Sequence, residues 1–260
     1  MDIKEIINSP TEIEKQLLSF FNRSQKITIF DIGACDGIDS IKYANLFPES
    51  RIFSFEPLPS NIDVFKKHLN EYKKTNIEIV PVALSNKKGE AEFHVSSGCP
   101  DGRQDDNWDY GNKSSSLLMP EINNINKYFN WLNFETKVNV KTTTIEEICR
   151  EYRIDKIDFI HLDVQGAELM VLEGAGDLIG NISIIWMEVE KIYLYKGQPL
   201  MEQVSNFMDS NGFYKAYECL NEIDGDRLYV NNKCKKQSLL YKLITKTEDF
   251  KKWVRHIKTF

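Results

Sequence analysis

The apolar run 27–30 ends in Asp31, and the chain then breaks into a loop bounded by Gly33 and Gly37 before a helical stretch begins. Glycine lets the backbone take turn geometry and lets a ligand approach without a Cβ in the way. This is the edge at which an open α/β sheet presents nucleotide-like ligands. The spacing is G-x-x-x-G, neither the G-x-G-x-x-G of dinucleotide loops nor the G-x-x-x-x-G-K-[ST] of P-loops. Asp31 and Asp36 make the loop negative where a phosphate would want bare N–H groups or a cation, so the expected ligand carries a cationic part. A further acid, Glu56, ends the next strand-like run, 51–55, at about 20 residues beyond the loop. From there a carboxylate can hold both hydroxyls of a ribose. S-adenosylmethionine (SAM) combines a ribose, an ammonium and a sulfonium with no pyrophosphate, and is the cofactor that the two halves specify together. The alternatives are another nucleotide or a structural turn.

Methyl transfer from a sulfonium is an in-line displacement that rests mainly on proximity and alignment. A hydroxyl acceptor also needs a group to take its proton. Two later apolar runs supply candidates at their carboxyl ends: Asp163 after 157–162, and Glu188 with Glu190 at the end of IIWMEVE. His161 alternates to the same strand face as Asp163 and could assist a proton transfer, or be a satisfied core group. Asp163 with Glu188 could bind a divalent ion through oxygen ligands, but the motif density of a metal site is missing and no metal ligand is assigned. The absence of G-x-S-x-G argues against covalent hydrolase chemistry. DVQG stands where amino-methylating nucleic-acid enzymes carry N-P-P-[FY].

These positions need a scaffold. The chain has 260 residues, 42% hydrophobic and 28% charged, which suits one large α/β domain with insertions. A net charge of −6 argues against holding nucleic acid through its phosphates. Five scattered cysteines without a C-x-x-C pair fit a reducing compartment, and no run of roughly 18 apolar residues is present. A soluble, cytoplasmic protein is expected.

Periodicity predicts a leading helical segment over 1–26 packed on the sheet, broken at Ser9-Pro10-Thr11. Strands are expected at 27–31 and 51–55, and at 77–84 with a hairpin partner at 91–95. Further strands fall at 137–142, 157–162, 182–189, 213–219 and 227–230, the last two flanking a turn at Asp224-Gly225. Helices fall at 38–47, 60–72 (capped by Ser60 or Asn61), 144–151, 167–174 and 200–211. The reading is α/β: a doubly wound, mainly parallel sheet with an antiparallel hairpin edge, over 27–232. Between 96 and 135 the pattern fails and a lid-like insertion or mobile surface is expected. The basic tail, 233–260, reads as a helix packed on the domain or as a peripheral membrane or partner contact.

DIGACDGIDS (31–40), FEP (55–57), VALSNKKGEAEF (82–93), KSSSL (113–117), TTTIEEI (142–148), IDFIHLDVQGAELMVLEGA (157–175) and IIWMEVE (184–190) together resemble the FkbM family of SAM-dependent methyltransferases. The resemblance spans about residues 27–230. It implies the class I methyltransferase fold, a seven-stranded Rossmann-like sheet, and O-methylation, frequently of a sugar hydroxyl in a surface polysaccharide, glycolipid or natural product. By position it implies a cofactor loop of Asp31, Gly33, Asp36, Gly37, Ser40 and Glu56, a serine cluster of Ser115 and Ser116, and strand-end acids at Asp163 and Glu188. Where many members look like K-x-D-V-E-G, this chain has His161, Asp163 and Gln165. The segment 98–112 looks like an insertion whose Arg103, Trp108 and Tyr110 suit contact with a sugar. A transferase with a non-sugar acceptor, or a silent SAM-fold scaffold, are the competing readings.

Overall fold

The computed structural model describes residues 3–100 and 110–234. Helices α1 (Ile3–Asn8) and α2 (Glu12–Leu17) precede β1 (Thr28–Ile32), α3 (Ile38–Leu46), β2 (Arg51–Phe55), α4 (Pro59–Tyr72) and β3 (Ile77–Val80). Next come the short β4 (Ala83–Leu84), β5 (Gly89–Ser97), a 3-10 turn at Tyr110–Ser114, α5 (Ile122–Tyr128) and β6 (Asn133–Thr143). The chain then runs through α6 (Ile145–Tyr152), β7 (Ile157–Leu162), α7 (Glu168–Glu173), β8 (Ile182–Glu188), α8 (Met201–Ser210), β9 (Phe213–Leu220) and β10 (Gly225–Asn231).

Seven strands form one sheet in the order β3-β2-β1-β7-β8-β10-β9. The first five are parallel, and β10 runs antiparallel to both β8 and β9. Strands β1, β2, β7 and β8 are buried over almost their whole length, as near-continuous apolar runs covered on both faces must be. On one face Phe30, Phe53, Ile160 and Ile185 pack with Ile148 of α6, Leu172 of α7 and Met208 of α8. On the other, Ile29, Phe159 and Ile184 pack with Leu17 of α2 and Tyr43 of α3. The sheet is therefore doubly wound. Burying each such side chain contributes about 1.5–3 kcal/mol.

The expected strand 77–84 is two strands in two sheets. Pro81 cannot donate to a ladder, β3 stops at Val80, and Val82 N–H turns back to the Val80 carbonyl at 2.9 Å. Strand β4 joins a second sheet of order β4-β6-β5. The partner of 91–95 is accordingly β6, with Ala91 opposite Val140 and Phe93 opposite Val138, and not the strand before it. Alternation along β5 shows which face is apolar but not which strand lies alongside. The interval read as patternless contains α5, and β6 begins at Asn133, ahead of the expected 137. Helix α4 starts with Pro59 after Leu58, so neither Ser60 nor Asn61 caps it. Residues 101–109 and the tail from 235, with the readings placed on them, lie outside the described residues. Among the described residues no helix is long and apolar enough to cross a membrane.

Candidate active site

Strand β2 lies on one side of β1 and β7 on the other, so successive crossovers diverge at the β1/β7 boundary. Ligands of open α/β sheets bind in the crevice at such a switch point. A cavity opens there, lined by the ends of β1 and β2 and by the residues that follow β7. Ile32 and Phe55 of the large sheet wall it together with Ala83, Leu84 and Phe93 of the small one. Glu56, Asn61, Asn112, Lys113, Ser115 and Asp163 are its polar side chains.

The glycine loop is held by the fold around it. Gly33 N and Ala34 N both donate to Phe55 O at 3.0 Å, Cys35 N to Glu56 Oε2 at 3.0 Å, and Gly37 N to Ala34 O at 2.8 Å. With those N–H groups engaged, the loop is a poor nest for a phosphate. Gly33 has a positive φ of 88°, and a Cβ there would stand 1.8 Å from the Asp163 carbonyl oxygen. A Cβ on Gly37 would meet the Phe65 ring at 1.9 Å. Chain packing, rather than ligand approach, is thus what requires glycine at both places. Gly33 lines the cavity and Gly37 does not.

Glu56 forms one end of the cavity. Its Oε1 accepts from Leu58 N at 2.8 Å and Asn61 Nδ2 at 3.2 Å, while Oε2 takes the Cys35 N–H. Burial, only partly offset by these donors, pushes its carboxyl up to about 7. Asn61 in turn accepts from Asn112 Nδ2 at 2.6 Å, which ties the 3-10 turn over Glu56. Lys113 reaches Asp36 Oδ2 at 3.4 Å from the same turn.

Asp163 marks the other end. Gln165 Nε2 donates to Asp163 Oδ1 and to Glu188 Oε2, each at 2.8 Å, so a carboxamide sits between two carboxyl groups. Tyr195 Oη donates to the Ser114 carbonyl at 2.6 Å and lies 3.2 Å from Gln165 Oε1. Gln165 is held in the left-handed region at φ 54°, a conformation that costs about 1 kcal/mol in a non-glycine residue. Burial, with the charges of Asp163 and Glu190 next, raises the Glu188 carboxyl well above its ordinary range. Of the two strand-end acids, Asp163 is the one that lines the cavity. Among the described residues no group of three or more His, Cys, Asp or Glu side chains is arranged to hold a metal ion.

Of the remaining residues singled out in the sequence, all but Ser115 lie behind this surface. Ser40 Oγ donates to Asp31 Oδ2 and lies 2.6 Å from Ser54 Oγ, fixing Asp31 from below, and all three are buried. His161 Nδ1 stands 3.4 Å from Asp31 Oδ1, at ion-pair distance but without hydrogen-bond geometry. Burial opposes its charge, yet Asp31, Asp39 and Asp163 outweigh that and lift the imidazole to about 9. His161 does not line the cavity, where an acceptor's proton would have to be taken. Asp36 Oδ1 accepts from Ile38 N at 3.4 Å at the start of α3. Ser115 lines the cavity. Ser116 is fully buried and braces the Asp163 end instead, donating to Gln165 O at 2.8 Å. Asn61, Asn112, Lys113 and Tyr195 were not singled out as site residues. Of these Asn61 left a trace, an amide on the apolar face that α4 builds from Ile62 and Phe65.

The family model for the methyltransferase FkbM domain matches residues 31–214. The chain belongs to the FkbM methyltransferase family. It is 28% identical over 235 residues to the 2-O-methyltransferase NoeI of Sinorhizobium fredii, covering 89% of this chain and 91% of that protein. It is also 25% identical over 208 residues to the methyltransferase sdnD of Sordaria araneosa, covering 71% and 73% respectively. Among solved structures, the fibrillarin of Aeropyrum pernix with natively bound SAM aligns at 11% identity and a TM-score of 0.43, over 83% of this chain and 74% of its own. In this FkbM methyltransferase the cavity suits SAM by its donor set: a carboxylate to accept ribose hydroxyls, apolar walls for a purine, and an acidic loop with its N–H groups already used.

Proposed function

We propose that this FkbM methyltransferase is an O-methyltransferase acting on a saccharide hydroxyl. The observation that carries the proposal is one cavity with Glu56 at one end and Asp163 at the other, separated by the width of β1. The near full-length similarity to a 2-O-methyltransferase supports oxygen as the acceptor atom. The saccharide rests on the family resemblance of the sequence. Bound SAM supplies a methyl group on a sulfonium.

The side chains supply the rest. Glu56 and Asn61 hold and orient the ribose. Gln165 engages Oδ1 of Asp163, so Oδ2 is the atom that takes the acceptor's hydroxyl proton. Gln165 sets a neutral carboxamide, not a further carboxylate, between Asp163 and Glu188. Tyr195 and Ser116 hold Gln165 in its strained conformation.

The test is transfer of labelled methyl from SAM to a panel of neutral, amino and acidic saccharides, run beside alcohols and amines. Methylated sugar, formed by the wild type and lost in Asp163→Asn, supports the proposal. Transfer to an amine or a non-sugar alcohol alone, with every saccharide inert, would remove the saccharide from it.

A further inference from the structure

Asp163 has a second flank. The cavity lies on the face of the sheet that carries Ile32 and Phe55. On the other face, beyond the buried Ile29, Phe159 and Ile184, the next residues toward the carboxyl edge are Asp31, His161 and Trp186, in register across β1, β7 and β8. Asp226 of β10 takes the Trp186 indole N–H at 3.2 Å. Asp39 of α3 and Asp163 act on the His161 imidazolium from two sides, and the imidazolium acts in turn on Asp226. Three carboxyl groups from separate elements therefore surround His161. Asp39 is exposed, and His161, Asp163 and Asp226 are half-buried, so this surface is open.

Two buried polar atoms at its base have no hydrogen-bond partner among the described residues: Tyr43 Oη and His161 Nδ1. Tyr43, 1% exposed, stands edge-on to the imidazole with ring centroids 5.7 Å apart, its hydroxyl aimed among Asp31, Asp39 and Asp226. Buried polar atoms are rarely left so. Two of them beside a half-open ring of carboxyl groups mark a place that polar groups from outside the chain complete.

In-line displacement puts the acceptor on the far side of the methyl from the sulfur. With the cofactor in the cavity and the acceptor hydroxyl at Asp163, the rest of the acceptor extends over this second flank. Carboxylates there accept from hydroxyl groups and offer nothing to an anion. Resting on the reading of the protein as a saccharide O-methyltransferase, we propose that Asp39 and Asp226 bind the hydroxyl groups flanking the one that is methylated, on an acceptor with no anionic substituent at those positions.

Steady-state transfer to methyl glycosides of neutral hexoses, hexosamines and hexuronates decides this, using wild type, Asp39→Asn and Asp226→Asn, with SAM affinity read separately by calorimetry. Wild type should use a neutral glycoside about tenfold better in kcat/KM than the hexuronate of the same configuration, because like charges oppose the latter. Each variant should raise KM for the neutral glycoside about tenfold, the loss of a hydrogen bond to a charged group, and leave kcat and SAM affinity within about twofold. Each should also narrow the preference over the hexuronate, which a side chain that only supports the fold would not do. Variants that leave KM and that preference unchanged, or that lose SAM binding along with transfer, overturn the proposal and leave the saccharide O-methyltransferase standing. A wild type that methylates none of the glycosides overturns both.

Discussion

The two ends of the cavity are built differently. At Glu56 the carboxylate is gripped by groups close to it in the chain or on the paired loop: Cys35 N, Leu58 N and Asn61 Nδ2. At Asp163 the grip comes from the Gln165 side chain, itself held by separate segments: Glu188 at the end of β8 and Tyr195 beyond it. Backbone donors fix a carboxylate whatever the neighbouring side chains are, so the first end is robust to substitution. A side-chain network is specific and fails when one member changes. The Glu56 end, proposed to bind the cofactor, is therefore expected to tolerate variation that the Asp163 end, proposed to take the proton, does not.

The strongest way to break that contrast is Asp163→Asn. Transfer should fall by about 10²–10⁴-fold, the range for removing a general base, while SAM affinity stays near wild type. Equal loss of binding and transfer would show that the ends are not separable. Next in size, Glu56→Ala should weaken SAM by about 10–100-fold, through lost charge-assisted bonds to the ribose, and calorimetry reads this directly. Gln165→Glu sharpens the contrast from the other side. A carboxylate wedged against Asp163 and Glu188 should move the rising limb of the transfer pH profile upward by about one unit, leaving SAM affinity alone. An unmoved profile would mean that the carboxamide does not tune the acid.

The smallest effect is on the pH dependence of binding. Glu56 titrates near 7 in the folded chain against an ordinary value of 4.5. The stability that its protonated form gives the free fold is complete below the ordinary value and is lost as pH rises through about 7. Ribose hydroxyls favour the carboxylate, so SAM should bind about tenfold more tightly at pH 8 than at pH 6. Glu56→Gln should flatten that slope, and a slope retained in the variant would assign it to another group.

The contrast also explains what could be read from the sequence. Strands β1, β2, β7 and β8 were legible because each is an apolar run closed by Asp31, Glu56, Asp163 or Glu188 in a fold that buries both faces. Glu56 was legible because its distance from the glycine loop is set by one βα step. The network at Asp163 was less so: Gln165 showed only as a departure from the family pattern, and nothing in the chain links Tyr195 or Ser114 to it before folding. Ser40 and His161 have the residue types of a site, yet both serve Asp31 from within the fold, a distinction set by tertiary packing alone. Lys113 gave no signal because a lysine beside serines reads as solvated surface. The second sheet was not legible because Pro81 marks the end of β3 without naming the sheet that the chain enters next, and because a strand's alternation does not name its partner.

Pro81 has a further consequence. By passing the chain from one sheet to the other at the cavity's edge, it makes an occupant touch two layers that can open separately. The small sheet has a modest apolar cluster of its own, around Phe93 and Val140, and local opening is easiest where buried contacts are few. A ligand clasped between Phe55 and Phe93 holds that layer shut, so amide exchange along β5 and β6 should slow on saturation more than along β1 or β7. In this sense the cofactor completes the structure as well as the chemistry.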